Sequence, residues 1–352
     1  MTHAAHPAPD DPSANLPAAL GWEPRLDALL AEVDPSAVPA RVVRVDRGTA
    51  RLLSATGSAA AHLPGAAVGD HVALAPDGGA HLLPRRGAIA RRAAGSGDSA
   101  QVLAANVDRV LVVHGADRPL HPRRIHRSLA LAWEGGAEPV VVVTKSDLDP
   151  DGDVLAELTG AAPGTSVHAV GARTGEGLAT VAGWAFPDRT LCLVGESGAG
   201  KSTLINALLG CAGPAAATAP VRGGDNKGRH TTTARHLLPL PGGGCIIDTP
   251  GIRELGLWGD GRGVAMAFAD ITALAAECRF SDCRHAGEPG CAVAAAVQRG
   301  DLDPSRVDSH ARLVAEEEAL ERRRVPHQER AHGRRRSRMV REVVRSKGRR
   351  PR

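Results

Sequence analysis

Gly195 to Thr203 reads GESGAGKST, and this stretch limits the possible folds more than any other part of the chain. Gly195, Gly200, Lys201 and Ser202 satisfy G-x-x-x-x-G-K-[ST], with the apolar run TLCLV before the motif and the helix former STLINALLG after it. That strand-then-helix context makes the match a phosphate-binding loop. Its glycines let the backbone through Glu196, Ser197, Gly198 and Ala199 curl with N–H groups pointing inward at a helix N-terminus. Lys201 then reaches the β- and γ-phosphates, and the Ser202 hydroxyl, next to Thr203, ligates Mg²⁺.

The loop alone does not choose the nucleotide, because ABC-type ATPases carry a similar one. An ABC-like ATPase would also need an LSGGQ-like stretch and an apolar strand ending Asp-Glu, and the sequence has neither. Instead the run GCIID ends in Asp248-Thr249-Pro250-Gly251, a D-x-x-G in which Asp248 can hold a magnesium-bound water and the Gly251 N–H can sense the γ-phosphate. Upstream, the run VVVV delivers Thr144-Lys145-Ser146-Asp147, which resembles the N-K-x-D motif of GTPases with Thr144 in place of asparagine. A carboxylate at Asp147 can accept from guanine N1–H and the 2-amino group, a donor pair that adenine lacks. Gly171-Ala172-Arg173-Thr174-Gly175-Glu176-Gly177 looks like the S-A-x-x-G-x-G guanine loop with Gly171 in place of serine.

The order of these motifs is unusual. Ordinary GTPases run phosphate loop, switch I, D-x-x-G, N-K-x-D, guanine loop, whereas here the two guanine motifs come first. The same sheet is therefore expected to be threaded from another starting point, a circular permutation of the kind that surface loops tolerate. VDRVLVVHGAD, EPVVVVTKSD, SVHAVGAR, TLCLVGES and GGGCIIDTPG read as buried parallel strands, whose ligands sit at the carboxyl ends.

On either side of this α/β section the pattern differs. Residues 1–38, rich in Pro, Ala and Asp, read as a mostly disordered lead with a short helix around 24–33. Residues 39–95 hold short β-type runs punctuated by Gly and Pro, followed by an arginine-rich segment, as in a small oligonucleotide-binding (OB-like) barrel. The permuted GTPase domain is expected over 100–262, a zinc-binding helical domain over 263–325 and a basic tail over 326–352. Within CRFSDCRHAGEPGC, Cys278, Cys283, His285 and Cys291 form C-x4-C-x-H-x5-C, three sulfurs and one imidazole suited to a closed structural Zn²⁺ site. Cys192, Cys211 and Cys245 read as packing residues.

Composition narrows the partners. The 352 residues include no Tyr, three Phe and four Trp, so base stacking on aromatic platforms is not the main binding device. From Glu321 onward stand 14 Lys and Arg against 3 acids, leaving 29 against 36 in the remainder. A basic tail on an acidic body points to nucleic acid. No apolar run approaches the roughly 18 residues that span a bilayer, and the first 20 lack a positive flank before an apolar block, so a cytoplasmic protein with no membrane partner is expected.

Permuted order, N-terminal barrel and following Cys/His cluster together resemble the ribosome small-subunit-dependent GTPase A family. QVLAANVDRVLVV, GESGAGKSTLIN, GRHTTT, DTPGIRELGLW and the cysteine pattern carry the likeness over roughly residues 42–323. The resemblance implies a GTPase, a monomer, that converts GTP to GDP, is stimulated by the 30S subunit, binds its 16S rRNA and acts in its late maturation. It also implies that GRHTTT is switch I, with one of Thr231 to Thr233, Thr232 in this reading, reaching Mg²⁺, and with His230 a candidate to position water, since Ile252 follows D-x-x-G where Ras-like proteins have a glutamine. The other rival is a zinc RNA-binding module with a non-functional phosphate loop.

Overall fold

Runs such as VLVV and VVVV place consecutive apolar side chains on opposite faces of a strand, so a strand built from them needs a core on each side. The computed structural model, which describes residues 20–92, 100–210, 235–249 and 261–322, meets that need. Strands β8 (Arg109–Gly115), β9 (Glu138–Thr144), β10 (Val167–Val170), β11 (Thr190–Gly195) and β13 (Cys245–Asp248) are parallel, and β12 (His236–Pro239) pairs antiparallel on β13. Val110, Val112, Val141 and Val143 point into one core with Leu129 and Leu131 of helix α2 (Pro122–Glu134) and Leu158 of α3 (Asp153–Ala161). Leu111, Val113, Val140 and Val142 point into the other, with Leu178 and Val181 of α4 (Leu178–Ala185) and Leu204 and Leu208 of α5 (Lys201–Gly210).

The strand order is β10-β9-β8-β11-β13-β12. The chain winds outward from β8 to β10, then returns to lay β11 against the other side of β8. A topological switch point therefore lies between β8 and β11, and an open α/β sheet offers its ligand crevice at the carboxyl ends of such strands.

Before this sheet, β1 (Val38–Asp46), β2 (Thr49–Ser54), β3 (Gly57–His62), β4 (His71–Leu74) and β5 (Ala80–Leu82) form an antiparallel sheet in the order β3-β2-β1-β4-β5. Arg47 and Gly48 both take positive φ (47° and 85°), the requirement of a tight two-residue hairpin matched to strand twist. The sheet curls around Ala40, Val42, Ala50, Leu52, Leu63 and Val72, and in the described residues β3 and β5 are its edges: an OB-like half-barrel rather than a closed one. Helix α1 (Arg25–Val33) seals one end by packing Leu26 with Ala73 and Leu83. A hairpin of β6 (Ala88–Arg92) and β7 (Ala100–Ala105) leads into the parallel sheet.

Arg41 in β1 joins the two sheets. Its guanidinium is fully buried and donates to the carbonyls of Gly69 (2.8 Å), Leu20 (2.6 Å) and Asn106 (3.4 Å) and to the Thr190 hydroxyl at the start of β11 (3.0 Å). Next to it on β4, His71 is equally buried, meets Trp22 edge-on at 5.4 Å, and has no hydrogen-bond partner on either ring nitrogen among the described residues. Burial first, then the charges of Arg41, Arg25 and Arg86, push its pKa from 6.5 down to about 2. The unfolded chain therefore binds a proton that the folded chain refuses between those two values, so His71 costs stability as pH falls below about 6.5, at about 1.4 kcal/mol per pH unit. A His71→Phe variant is expected to lose less stability than wild type between pH 6.5 and 5; parallel denaturant curves at the two pH values would contradict this if the loss were equal.

The C-terminal part is helical: α6 (Arg262–Ala267), α7 (Ala269–Ala275), α8 (Ala292–Arg299) and α9 over residues 304–322. Arg306 of α9 ties it to the parallel sheet's helices. Buried to 3% exposure, it forks onto Asp270 (2.7 and 2.8 Å), donates to Ala267 O (2.8 Å), and lies 4.7 Å over the Phe268 ring. Its other nitrogen and the His126 ring both meet Ala161 O at the end of α3 (3.4 and 2.8 Å). No described helix is long and apolar enough to cross a membrane.

Candidate functional site

Four sequence motifs arrive at the carboxyl ends of four of the five parallel strands, on either side of β8: Thr144 closes β9, Gly171 follows β10, Gly195 closes β11 and Asp248 closes β13. Strand order, not chain order, brings them to one rim. The permuted order of the motifs is therefore compatible with one nucleotide site.

The loop from Gly195 to Gly200 takes positive φ at Gly195 (151°), Gly198 (78°) and Gly200 (90°), conformations that L side chains rarely adopt. A Cβ at Gly195 would run into the Val113 carbonyl of β8, so that glycine is also required by close strand packing. Lys201 opens α5 with its stem buried and its ammonium donating to the carbonyls of Gly195 and Glu196, both at 2.7 Å. Burial pushes its pKa down while the Asp248 carboxylate pulls it back up. Asp248, in turn, is raised by burial and lowered by Lys201 and His236. The two groups influence each other through space, while the ammonium's hydrogen bonds go to the loop carbonyls. Ser202 and Thr203 are exposed on the first turn of α5, and Thr249 is buried with its hydroxyl donating to Leu193 O.

Thr144 occupies the position that asparagine holds in the motif it resembles. Its hydroxyl is buried, 2.5 Å from Ala199 O in the phosphate loop and 3.2 Å from His114 O. Lys145 takes a left-handed backbone (φ 59°), which turns its side chain back so that the ammonium meets Asp117 (2.5 Å) and Gly198 O (3.0 Å). Lys145 holds the Asp117 carboxyl down at about 2. Ser146 and Asp147 follow in a short 3-10 turn; Asp147 is exposed, and Ser146 Oγ donates to Glu176 at 2.9 Å. That bond joins the two guanine motifs. Gly171 and Ala172 lie in the second, closed by Gly171 N to Glu176 O at 3.0 Å. A Cβ at Gly171 would collide with the Thr174 hydroxyl, so glycine rather than serine is what this loop accommodates.

His230, Thr232 and Gly251 lie outside the described residues, as do Cys211 and the basic tail. Three neighbours of the loop have no place in the sequence motifs: Asp117, Arg118 and Arg124, the last ion-paired with Glu196. The one sequence signal for Asp117 and Arg118 was the polar turn HGADR at the carboxyl end of an apolar strand; Arg124 lies on α2.

A second constellation sits between α7 and α8. The ligand atoms of Cys278, Cys283, His285 and Cys291 lie within 4.8 Å of one another. Cys278 Sγ and Cys291 Sγ are 3.9 Å apart, and His285 Nδ1 is 3.7 and 3.5 Å from them. Glu288 shapes the turn by accepting from the Arg284 and Ala286 N–H groups (3.0 and 2.7 Å), and His285 takes φ 60°. Three thiols and an imidazole so arranged can hold one metal ion. Cys192 and Cys245, by contrast, are buried in the parallel sheet with pKa pushed up to about 12, chiefly by burial.

Comparison with known proteins agrees with this geometry. The family model described as RsgA GTPase matches residues 82–258. The small ribosomal subunit biogenesis GTPase RsgA of Streptomyces coelicolor is 46% identical over 318 residues, covering 85% of this chain and 86% of that protein. The protein of the same name from Opitutus terrae is 50% identical over 291 residues, covering 78% of each. Among solved structures, YjeQ from Thermotoga maritima superposes with a TM-score of 0.59 at 26% identity, over 80% of this chain and 98% of that one. YloQ, described as a circularly permuted GTPase, superposes with 0.57 at 23% identity over 80% and 96%, and shares the fold.

Proposed function

Since this chain belongs to the RsgA GTPase family and is a GTP-hydrolysing enzyme of small ribosomal subunit biogenesis, we propose that it turns over GTP at the rim formed by β9, β10, β11 and β13 while engaged with the 30S subunit, late in its maturation. The observation that carries the site assignment is the contact of Thr144 and Lys145 with the carbonyls of Ala199 and Gly198, which joins guanine motif and phosphate loop across the permuted order.

In this reading the N–H groups of Gly195–Thr203 surround the β- and γ-phosphates. Lys201 exchanges its two carbonyl acceptors for phosphate oxygens, a low-cost move because its ammonium is already desolvated and aimed into the loop. Ser202 and Thr232 are the proposed Mg²⁺ ligands, and Mg²⁺ bound with GTP neutralises charge that develops on the phosphates. Asp248 and Gly251 read the γ-phosphate end; His230 positions the attacking water. Thr144, Lys145, Ser146, Asp147, Gly171 and Ala172 form the guanine side. The Cys278, Cys283, His285, Cys291 set suits Zn²⁺, because tetrahedral bonds of about 2.3 Å to sulfur and about 2.0 Å to nitrogen put ligand atoms about 3.6 to 3.8 Å apart. Half-barrel, metal-bearing segment and basic tail together bind 16S rRNA, and the protein works as a monomer in the cytoplasm.

Purified protein is expected to hydrolyse GTP slowly alone and much faster with 30S subunits; equal rates would sink the ribosome-stimulated reading. Asp147→Asn tests the guanine side. Asparagine keeps one acceptor oxygen but puts an NH2 donor against the second guanine donor, a mismatch of about 1 to 3 kcal/mol, so kcat/KM for GTP should fall roughly 5- to 150-fold while the preference for GDP over ADP narrows. An unchanged preference would remove Asp147 from the base site.

A further inference from the structure

The turn after β8 crosses the switch point of the sheet and carries Arg118 to the back of the phosphate loop. Its Nη1 donates to Ser197 O at 3.0 Å and its Nη2 to Gly198 O at 2.8 Å, while Nε faces the Asp117 carboxylate at 3.2 Å. Glu196 lies 3.6 Å from Nη1. The fit is close on both sides: a Cβ at Gly198 would stand 3.3 Å from Nη2, and one at Gly115 would stand 3.3 Å from Nε. With Lys145 on Gly198 O and Thr144 on Ala199 O, the carbonyls of residues 197, 198 and 199 each receive a donor from outside the loop.

Peptide planarity converts these contacts into a statement about phosphate binding. In a trans peptide the carbonyl of one residue and the N–H of the next point in opposite directions. Drawing the carbonyls of Ser197 and Ala199 outward therefore turns the N–H groups of Gly198 and Gly200 inward, toward the concavity that receives an anion, while the Ala199 N–H is held by Glu196 O at 3.2 Å. Thr144 supplies one hydroxyl proton for two acceptors, Ala199 O and His114 O, whereas the asparagine of the resembling motif would bring two N–H donors. Arg118 adds two charge-assisted donors to the adjoining carbonyls.

We propose that Arg118 is a positioning residue that holds the phosphate loop in its anion-ready form from behind, making good the donor lost at Thr144. This inference rests on the nucleotide site proposed above. Because the guanidinium is committed to the outer face of the loop, it assists GTP and GDP alike and does not touch the reacting atoms.

The test is a set of nucleotide affinities and single-turnover rates for the full chain. Arg118→Ala should raise the Kd of fluorescent GDP and GTP by the same factor, about tenfold, with kcat at saturating GTP and 30S within about twofold of wild type. Arg118→Lys, one point charge without the fork, should fall between. Thr144→Asn in the Arg118→Ala background should recover most of the affinity. Thr144→Ala, which needs no added room, tests the same coupling, since combined with Arg118→Ala it should lose more than the two single losses multiplied. A fall in kcat with unchanged Kd would make Arg118 catalytic and overturn the proposal. Unchanged Kd in Arg118→Ala, or independent effects at 118 and 144, would also overturn it. Failure of the wild-type chain to bind GDP would strike the nucleotide site itself, a result distinct from any of these.

Discussion

Stripping the metal proposed at Cys278, Cys283, His285 and Cys291 is expected to unfold the segment from Cys278 to Gly300 while the parallel sheet persists. Between α7 and α8 the chain makes turns whose side chains are mostly exposed, so little apolar burial holds it. Cys291 has a double part: its sulfur caps α8 by accepting from Ala294 N at 3.3 Å, and it belongs to the cluster. Structural zinc in such short loops supplies about 10 to 16 kcal/mol of apparent binding energy, which here would be the folding energy of the segment. Hydrogen exchange before and after chelation reads the effect, with protection lost around Val293 and Ala296 and kept at Val112 and Val141. Uniform protection after demonstrated metal release would show that the turns hold themselves. Because thiolates must be deprotonated to bind, metal retention should also weaken as pH falls.

Lys201→Ala is expected to lower the 30S-stimulated rate by about 10²- to 10³-fold, the cost typical of losing one preorganised donor to developing charge. The two carbonyls it now occupies, Gly195 O and Glu196 O, would be left without its ammonium, and Asp248 would lose a cation that offsets its burial. Nucleotide should therefore bind more weakly as well. With the GTP cycle blocked, the variant should stay on 30S subunits that the wild type leaves. Single-turnover hydrolysis within about threefold of wild type would assign the loop a binding role only, and normal release from the subunit would favour a nucleotide-independent RNA-binding protein.

What the sequence made readable was the chemistry carried by backbone and short spacing. Three positive-φ glycines, a lysine and a serine in fixed order predict a phosphate loop wherever it falls in a chain, and three cysteines and a histidine within 14 residues predict a metal cluster. Arg118 was not readable, because its contact with Ser197 joins residues 79 apart and exists only because β8 and β11 are neighbours. Arg41 was not readable either: RVVRVD shows a short β-type run, and only the folded chain brings the carbonyls of Leu20, Gly69 and Asn106 and the Thr190 hydroxyl around this buried guanidinium. Gly171 looked like a defect in a guanine loop until Thr174 was seen to fill the space. The hairpin of β6 and β7 begins in the arginine-rich stretch that by sequence reads only as the flank of an OB-like barrel.

The position of β11 has a consequence for how the protein is made. In the growing chain β8, β9 and β10 emerge together, but the edge of β8 that pairs with β11 stays unfilled until residues 190–195 appear. At about 5 to 20 residues per second that open edge, an apolar VLVV strand, waits several seconds for its partner. Threading the guanine side first thus makes the phosphate strand the bridge between the early strands β8, β9 and β10 and the late strands β12 and β13, and the phosphate loop cannot meet Thr144 and Lys145 before residues 190–195 have paired with β8.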